Sequence, residues 1–209
     1  PFVGHVPTAI STIEASDAGQ KSIEHLGKIL EDSSGSPEKI RAKQAAPIKE
    51  RDFFAFTTRL GGVYDVIRST YSEKKANEIF ARFRKNKTWQ APTLAVKNGR
   101  TFIDEFAAKG DPRAKYVEES QRNYWKPTVG FFSRYRTADY IAAQKKYFQK
   151  ELELVGEMQR SGIGIMAATD TPNAYVIAGF SLHDELALLV KAGLAPIEAL
   201  QAATRNPAE

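Results

Sequence analysis

Short apolar clusters alternate with longer amphipathic stretches along the chain. Apolar residues repeat with helical spacing over 72–87 and 138–160, so both stretches are predicted to be helices. Strands that alternate with helices predict an α/β fold built on a parallel sheet. Four short segments are predicted to be such strands, and they cover residues 1–4, 21–24, 89–94 and 164–168.

The number of strands and the chain length together indicate how large that sheet is. A barrel of eight parallel strands, each followed by a helix, takes about 250 residues. Four strands in 209 residues, with a long excursion over 97–137, would form about half of such a barrel. The excursion is rich in aromatic residues and too long for a structureless loop, so we expect short helices that form a lid.

Three residues with metal-binding side chains, His5, His25 and Asp170, come directly after predicted strands. In a barrel the carboxyl ends of all strands lie on one face, so these side chains would lie close together. Each residue also has a plain structural interpretation, because a lone histidine is often a hydrogen-bonded surface residue and 169–172 is typical of a turn. Glu24 precedes His25, and strand alternation predicts that it points away from that histidine.

Composition narrows the choice of metal ligands and partners. The chain has no cysteine, so a metal ion would be held by histidine and carboxylate groups. The net charge of +5 comes from basic residues interleaved with acidic ones, as on solvated helix faces, so no nucleic-acid partner is expected. No apolar run is as long as a membrane span and no signal peptide is visible. We therefore expect a soluble protein without a membrane partner, and both cytoplasm and periplasm stay open.

Several segments match a known superfamily. They are GHVP at 4–7, ASDAGQKSIEHL at 15–26, WQAPTL at 89–94, ATDTP at 168–172, GFSLHDEL at 179–186 and GLAPIEALQAATRNPAE at 193–209. Together they resemble the amidohydrolase superfamily, and most closely its imidazolonepropionase-like and Xaa-Pro dipeptidase-like branch. The resemblance implies a (β/α)8 TIM barrel of the amidohydrolase type. Residues 1–209 would be its C-terminal half, strands 5 to 8 with their helices and a helical insertion at about 97–137.

The resemblance also implies roles for the candidate residues. His5 would be the metal ligand of the fifth strand, and His25 the histidine of the sixth, a ligand in binuclear members and a substrate contact in mononuclear ones. Asp170 would end the eighth strand as a metal ligand and as the catalytic general base. The cofactor would be one or two divalent ions, zinc first, with manganese or iron as alternatives. His183, in a predicted helix, and Tyr116, in the lid, are the candidate substrate-binding residues.

We therefore expect the parent enzyme to hydrolyse an amide-type C–N bond in a dipeptide, an N-acyl amino acid or a related small amide, using metal-activated water. The chain contains no His-x-His pair, and the strand lysine of the similar binuclear enzymes is also missing from it. The fragment alone is accordingly expected to be inactive and, since a half-barrel exposes two sheet edges, to form a homo-oligomer. Two alternatives stay open: a deaminase or cyclic-amide hydrolase on the same barrel, and a non-catalytic half-barrel that acts through association.

Overall fold

Three short parallel strands form the sheet in the part of the chain that the structure describes, residues 2–50 and 53–209. In this computed structural model the strands are β1 (Phe2–Gly4), β2 (Gln20–Glu24) and β3 (Trp89–Ala91), and β2 lies in the middle. They match the first three predicted strands, although β3 is shorter than predicted and Pro1 lies outside the described residues. Because the strands are parallel, their carboxyl ends lie along one edge of the sheet.

The register of the sheet is set by the buried central strand. Val3 of β1 pairs with Ser22 of β2, and Ile23 of β2 pairs with Gln90 of β3. Ile23 is fully buried, whereas Val3 is 65% exposed on the edge strand. A shift of β2 by one residue would turn Ile23 to the opposite face, so burial of this side chain specifies the register.

The predicted half-barrel is wrong, because the fourth predicted strand does not extend the sheet. Residues 164–168 meet β3 at a single bridge between Gln90 and Ile165. The Met166 amide still donates to the Gln90 carbonyl, but the next amide, that of Ala167, donates to the carbonyl of Ala202 in the C-terminal helix (2.8 Å). After Met166 the backbone of this segment therefore bonds to the end of a helix and no longer to a strand. The described fold is mostly helical around a small sheet, and it is not a (β/α)8 barrel.

Helices make up most of the remaining structure. The predicted helices over 72–87 and 138–160 are confirmed, and the first begins where the Ser72 hydroxyl accepts a hydrogen bond from the Lys75 amide. None of the helices in the described ranges combines the length and apolar character needed to cross a membrane. The helices are α1 (Thr12–Asp17), α2 (Ile29–Asp32), α3 (Pro37–Glu50), α4 (Phe53–Ser69), α5 (Glu73–Asn86), α6 (Leu94–Thr101), α7 (Ile103–Lys109), α8 (Glu119–Arg134), α9 (Ala138–Arg160), α10 (Phe180–Lys191) and α11 (Pro196–Ala202), with 3₁₀ turns at Pro112–Tyr116 and Asn206–Ala208.

The main hydrophobic core joins the sheet to the amphipathic helices. Ile23 of β2 belongs to the same buried cluster as Phe80 and Phe83 of α5 and Leu152 and Met158 of α9. Burying each of these side chains stabilises the fold by roughly 1.5–3 kcal/mol. The core therefore holds the central strand rigidly, and it fixes the position of whatever follows that strand.

The segment 97–137 consists of helices, as the aromatic-rich sequence predicts. It contains the end of α6, then α7, the 3₁₀ turn and α8. Trp125 of α8 is buried with Val117 and Ile177 in a small separate cluster. The aromatic residues of this segment thus supply a local core, and its role as a lid stays a prediction.

Candidate functional site

The carboxyl edge of the sheet brings together four side chains that can bind a metal ion. His5 follows β1, Glu24 ends β2, His25 follows Glu24, and Asp170 lies in the loop after the Gln90–Ile165 bridge. The rings of His5 and His25 are 4.7 Å apart, with their planes at 64°. Nε2 of His5 is 3.9 Å from Oε2 of Glu24, and Nε2 of His25 is 4.0 Å from Oδ2 of Asp170. The three residues predicted from strand ends therefore lie together.

These donors fit a divalent ion in chemical type, and they lie near one another. One ligand atom from each of His5, Glu24 and His25 lies within 4.8 Å of the other two. Two donors that each bind zinc at about 2.1 Å in tetrahedral geometry lie about 3.4 Å apart. The observed separations, up to 4.8 Å, exceed this value, so the side chains would move closer together on binding one ion. Imidazole nitrogen and carboxylate oxygen are ligands that zinc accepts, so these residues could hold such an ion.

Glu24 is a member of the cluster that strand alternation did not predict. The alternation rule holds only while the chain stays extended. At His25 the backbone turns into the left-handed region, with φ 58°, and Leu26 follows with φ 56°. The turn brings the side chains of Glu24 and His25 towards His5. An acidic residue next to a histidine was the only signal in the sequence, and it does not specify a backbone turn.

Several residues at this edge share an unusual backbone conformation. His25, Thr93 and Asp170 have φ values of 58°, 50° and 58°. These values lie in the left-handed region, which residues other than glycine rarely adopt. Such a conformation costs of order 1–3 kcal/mol per residue and is concentrated at functional sites. Thr93 was missed by the sequence analysis. Its Oγ1 lies 2.5 Å from Nδ1 of His25, so it directly contacts a candidate ligand.

Burial and charge keep the His25 imidazole neutral. Burial lowers the pKa of His25, and the nearby positive charge of Lys97 lowers it further. Asp170 acts in the opposite direction and does not cancel the effect of burial. A neutral imidazole has a free lone pair at neutral pH, which is the form that binds a metal ion.

A polar pocket of about 230 Å³ opens beside His25. At its wall Lys97 of α6 forms an ion pair with the buried Glu151 of α9, with Nζ and Oε1 2.5 Å apart. Burial raises the pKa of Glu151, and Lys97 opposes that rise. The pocket can therefore receive a small polar molecule next to His25. Its lining residues are His25, Leu26, Lys28, Glu31, Leu60, Tyr64, Lys97, Arg100, Thr101, Gln144, Tyr147 and Glu151.

The two predicted substrate-binding residues lie elsewhere on the surface. Tyr116 is 67% exposed, and its ring stacks on Phe180 with the ring centres 5.5 Å apart. His183 is exposed on α10. Neither residue lines the pocket beside His25. Their role in substrate binding stays a prediction.

One solved structure, bottromycin amidohydrolase, has a similar fold. It superimposes with a TM-score of 0.63 at 22% sequence identity, over 98% of this chain and 39% of that protein. The chain therefore spans less than half the length of the protein it matches, and at this identity the likeness shows the fold alone. No protein-family model matches the chain, and no curated protein matches it. The narrower imidazolonepropionase-like assignment stays a prediction.

Proposed function

We propose that this chain belongs to an enzyme that hydrolyses an amide-type C–N bond with the help of a divalent metal ion. The observation that carries the proposal is the convergence of His5, His25 and Asp170 at the carboxyl edge of the sheet, beside a polar pocket. The shared fold with part of a protein named as an amidohydrolase supports the same class of reaction.

Each residue of the cluster has a defined part in this chemistry. His5 and His25 would hold the ion through neutral imidazole nitrogens, and a carboxylate, that of Asp170 or Glu24, would complete the set. When bound, a divalent ion lowers the pKa of a water molecule and polarises the carbonyl of the scissile bond. Asp170 accepts a proton from the attacking water and returns it to the leaving nitrogen, which departs as a neutral amine.

The pocket supports a small substrate that carries a carboxylate. Its volume of about 230 Å³ is below the roughly 300–1,000 Å³ of pockets for drug-sized ligands, which favours a substrate as small as a dipeptide or an N-acyl amino acid. Three cationic residues line it, Lys28, Lys97 and Arg100, against the two acidic residues Glu31 and Glu151. This excess of positive charge favours a substrate with a carboxylate, and zinc is the first choice of ion for the histidine-rich set.

Metal binding is tested by titrating zinc into the 209-residue chain and into the His25→Ala variant, with His183→Ala as the matched control. We expect zinc binding in the wild type and in His183→Ala, and a loss of about 10- to 100-fold in affinity in His25→Ala. Equal zinc affinity in all three proteins would contradict the proposed site.

Catalysis is tested in the longest natural form of the protein, supplied with zinc and offered dipeptides and N-acetyl amino acids. We expect release of free amino acid, and a decrease of at least about 100-fold in kcat when Asp170 is replaced by Asn. Release of ammonia from a ring or exocyclic amine would favour a deaminase instead. Turnover that is unchanged in Asp170→Asn would exclude the assigned role of this carboxylate.

A further inference from the structure

The hydroxyl group of Thr93 lies between two hydrogen-bond partners. Its oxygen is 2.8 Å from the Pro92 carbonyl oxygen and 2.5 Å from Nδ1 of His25. A carbonyl oxygen can only accept, so the single hydroxyl proton goes to Pro92, and the hydroxyl oxygen accepts a hydrogen bond from Nδ1–H of His25. The imidazole is thereby the Nδ1–H tautomer. The lone pair of its Nε2 is left available on the side where Asp170 lies, 4.0 Å away.

The Thr93 backbone does not hold this conformation by itself. A β-branched residue with a φ of 50° is a rare outlier, because the branched side chain crowds the backbone in the left-handed region. Thr93 is the residue before α6, the position from which a threonine side chain often caps a helix. Here its hydroxyl is committed to Pro92 and His25 instead, and the first amides of α6 need another acceptor.

Glu185 of α10 supplies that acceptor. Its side chain is fully buried, and Oε2 accepts a hydrogen bond of 2.6 Å from the Ala95 amide in the first turn of α6. Glu185 therefore anchors the first turn of α6 two residues after Thr93, from a position ninety residues further along the chain than Ala95.

We propose that Glu185 and Thr93 are positioning residues for His25. Glu185 fixes the start of α6, the fixed helix holds Thr93 in its strained conformation, and the Thr93 hydroxyl selects the tautomer that presents Nε2 of His25 to the site. The catalytic importance of this arrangement rests on the proposed function. The arrangement itself does not, because a tautomer can be observed directly.

The test uses the 209-residue chain labelled with nitrogen-15 in its histidines, studied by two-bond proton–nitrogen correlation spectra at about pH 7.5, where a neutral imidazole reveals its tautomer. The chain has three histidines, and His5→Gln and His183→Gln variants assign their signals. In the wild type we expect His25 as the Nδ1–H tautomer. Thr93→Val, which removes the acceptor, and Glu185→Ala, which releases α6, should both lose that signature.

Two conservative variants are the matched controls. Thr93→Ser keeps the hydroxyl group, and Glu185→Gln keeps a carbonyl oxygen that can accept from the Ala95 amide, so both should retain the Nδ1–H tautomer. His183 lies on the same helix as Glu185, and its unchanged signal shows that α10 is still folded in each variant. If Glu185→Ala does not fold, Glu185→Asp, whose shorter side chain cannot reach the amide, takes its place.

The outcomes separate this proposal from the proposed function. An Nδ1–H tautomer that persists in Thr93→Val would overturn the role of Thr93. If Glu185→Ala and Glu185→Gln both lose the Nδ1–H tautomer of His25 to the same extent, the carbonyl oxygen of residue 185 does not position His25, and Glu185 contributes only packing. Zinc titration of the same proteins should show about a 10- to 100-fold lower affinity in Thr93→Val and near-wild-type affinity in Thr93→Ser. If wild-type zinc binding is absent while the tautomer follows the predicted pattern, the metal assignment fails and the positioning arrangement stands.

Discussion

His5 and His25 lie side by side at the ends of neighbouring strands, yet their surroundings differ. The His5 side chain is 72% exposed and follows the edge strand β1, and its nearest charged partner is Glu24 at 3.9 Å. The His25 side chain is 25% exposed and follows the central strand, and its Nδ1 is hydrogen-bonded to Thr93. The orientation of the His25 ring is thus fixed by burial and a hydrogen bond, whereas the His5 ring is exposed to solvent.

The same contrast extends through the sheet. At the β1 edge, Phe2 and Val3 are 49% and 65% exposed. At the β3 edge, Gln90 is buried and bonded to residues 164–166, and a glycine at 164 allows that segment to approach. A binding group on the covered side is preorganised, whereas one on the open side must be ordered when a ligand binds.

The largest effect is expected from Gly164→Ala on the covered side. A Cβ at this position would lie 2.2 Å from the Trp89 ring, so the ring or the backbone would have to shift. We expect a loss of about 3 kcal/mol in the free energy of unfolding, compared with less than about 0.5 kcal/mol for Val3→Ala on the open side. Urea unfolding followed by circular dichroism measures both. Equal losses would show that the two edges are packed alike.

A smaller effect on the free energy of unfolding is expected when the pH is changed, through Glu185. This residue holds the start of α6, which follows Thr93, the hydrogen-bond partner of His25. Burial raises the pKa of Glu185 to about 8, against about 4.3 in an unfolded chain. The folded state therefore holds this proton more tightly, and the resulting stability is present below about pH 4.3 and lost as the pH rises towards 8.

Between pH 6 and 8 we expect the wild type to lose about 2 kcal/mol of stability relative to Glu185→Gln, which has no such proton. Urea unfolding of both proteins at the two pH values gives the difference. Parallel pH dependence in the two proteins would mean that Glu185 is already ionised in the folded state.

The two histidines should also differ in their contribution to metal affinity. We expect His25→Ala to weaken zinc binding about tenfold more than His5→Ala, because the exposed His5 side chain loses conformational entropy when it binds. Isothermal titration of zinc into each variant measures this ratio. The reverse order would show that the exposed histidine is the principal ligand.

The smallest effect is expected at His183. This histidine is exposed on α10 and does not line the pocket beside His25. His183→Ala should change the free energy of unfolding by less than about 0.5 kcal/mol, and it should leave zinc affinity unchanged. A clear loss of zinc affinity in this variant would place His183 in the site and would remove its use as a control.

The sequence alone determined the local elements and the candidate ligands. The helices α5 and α9 follow from apolar residues at helical spacing over 72–87 and 138–160. The positions of His5, His25 and Asp170 after predicted strands were enough to predict that they lie together, because the ends of parallel strands share one edge of a sheet. Helices depend on residues close in sequence, so a single chain reveals them.

Only the tertiary structure decided how far the sheet extends and what surrounds the histidines. Residues 164–168 leave β3 after one bridge because Ala202, far along the chain, accepts the next amide. The turn of Glu24 towards His5 and the link from Glu185 through Thr93 to His25 likewise join distant segments. No sequence periodicity encodes these contacts, because each depends on the packing of the whole core. The sequence therefore indicates which groups the site contains, and the fold determines how each of them is held.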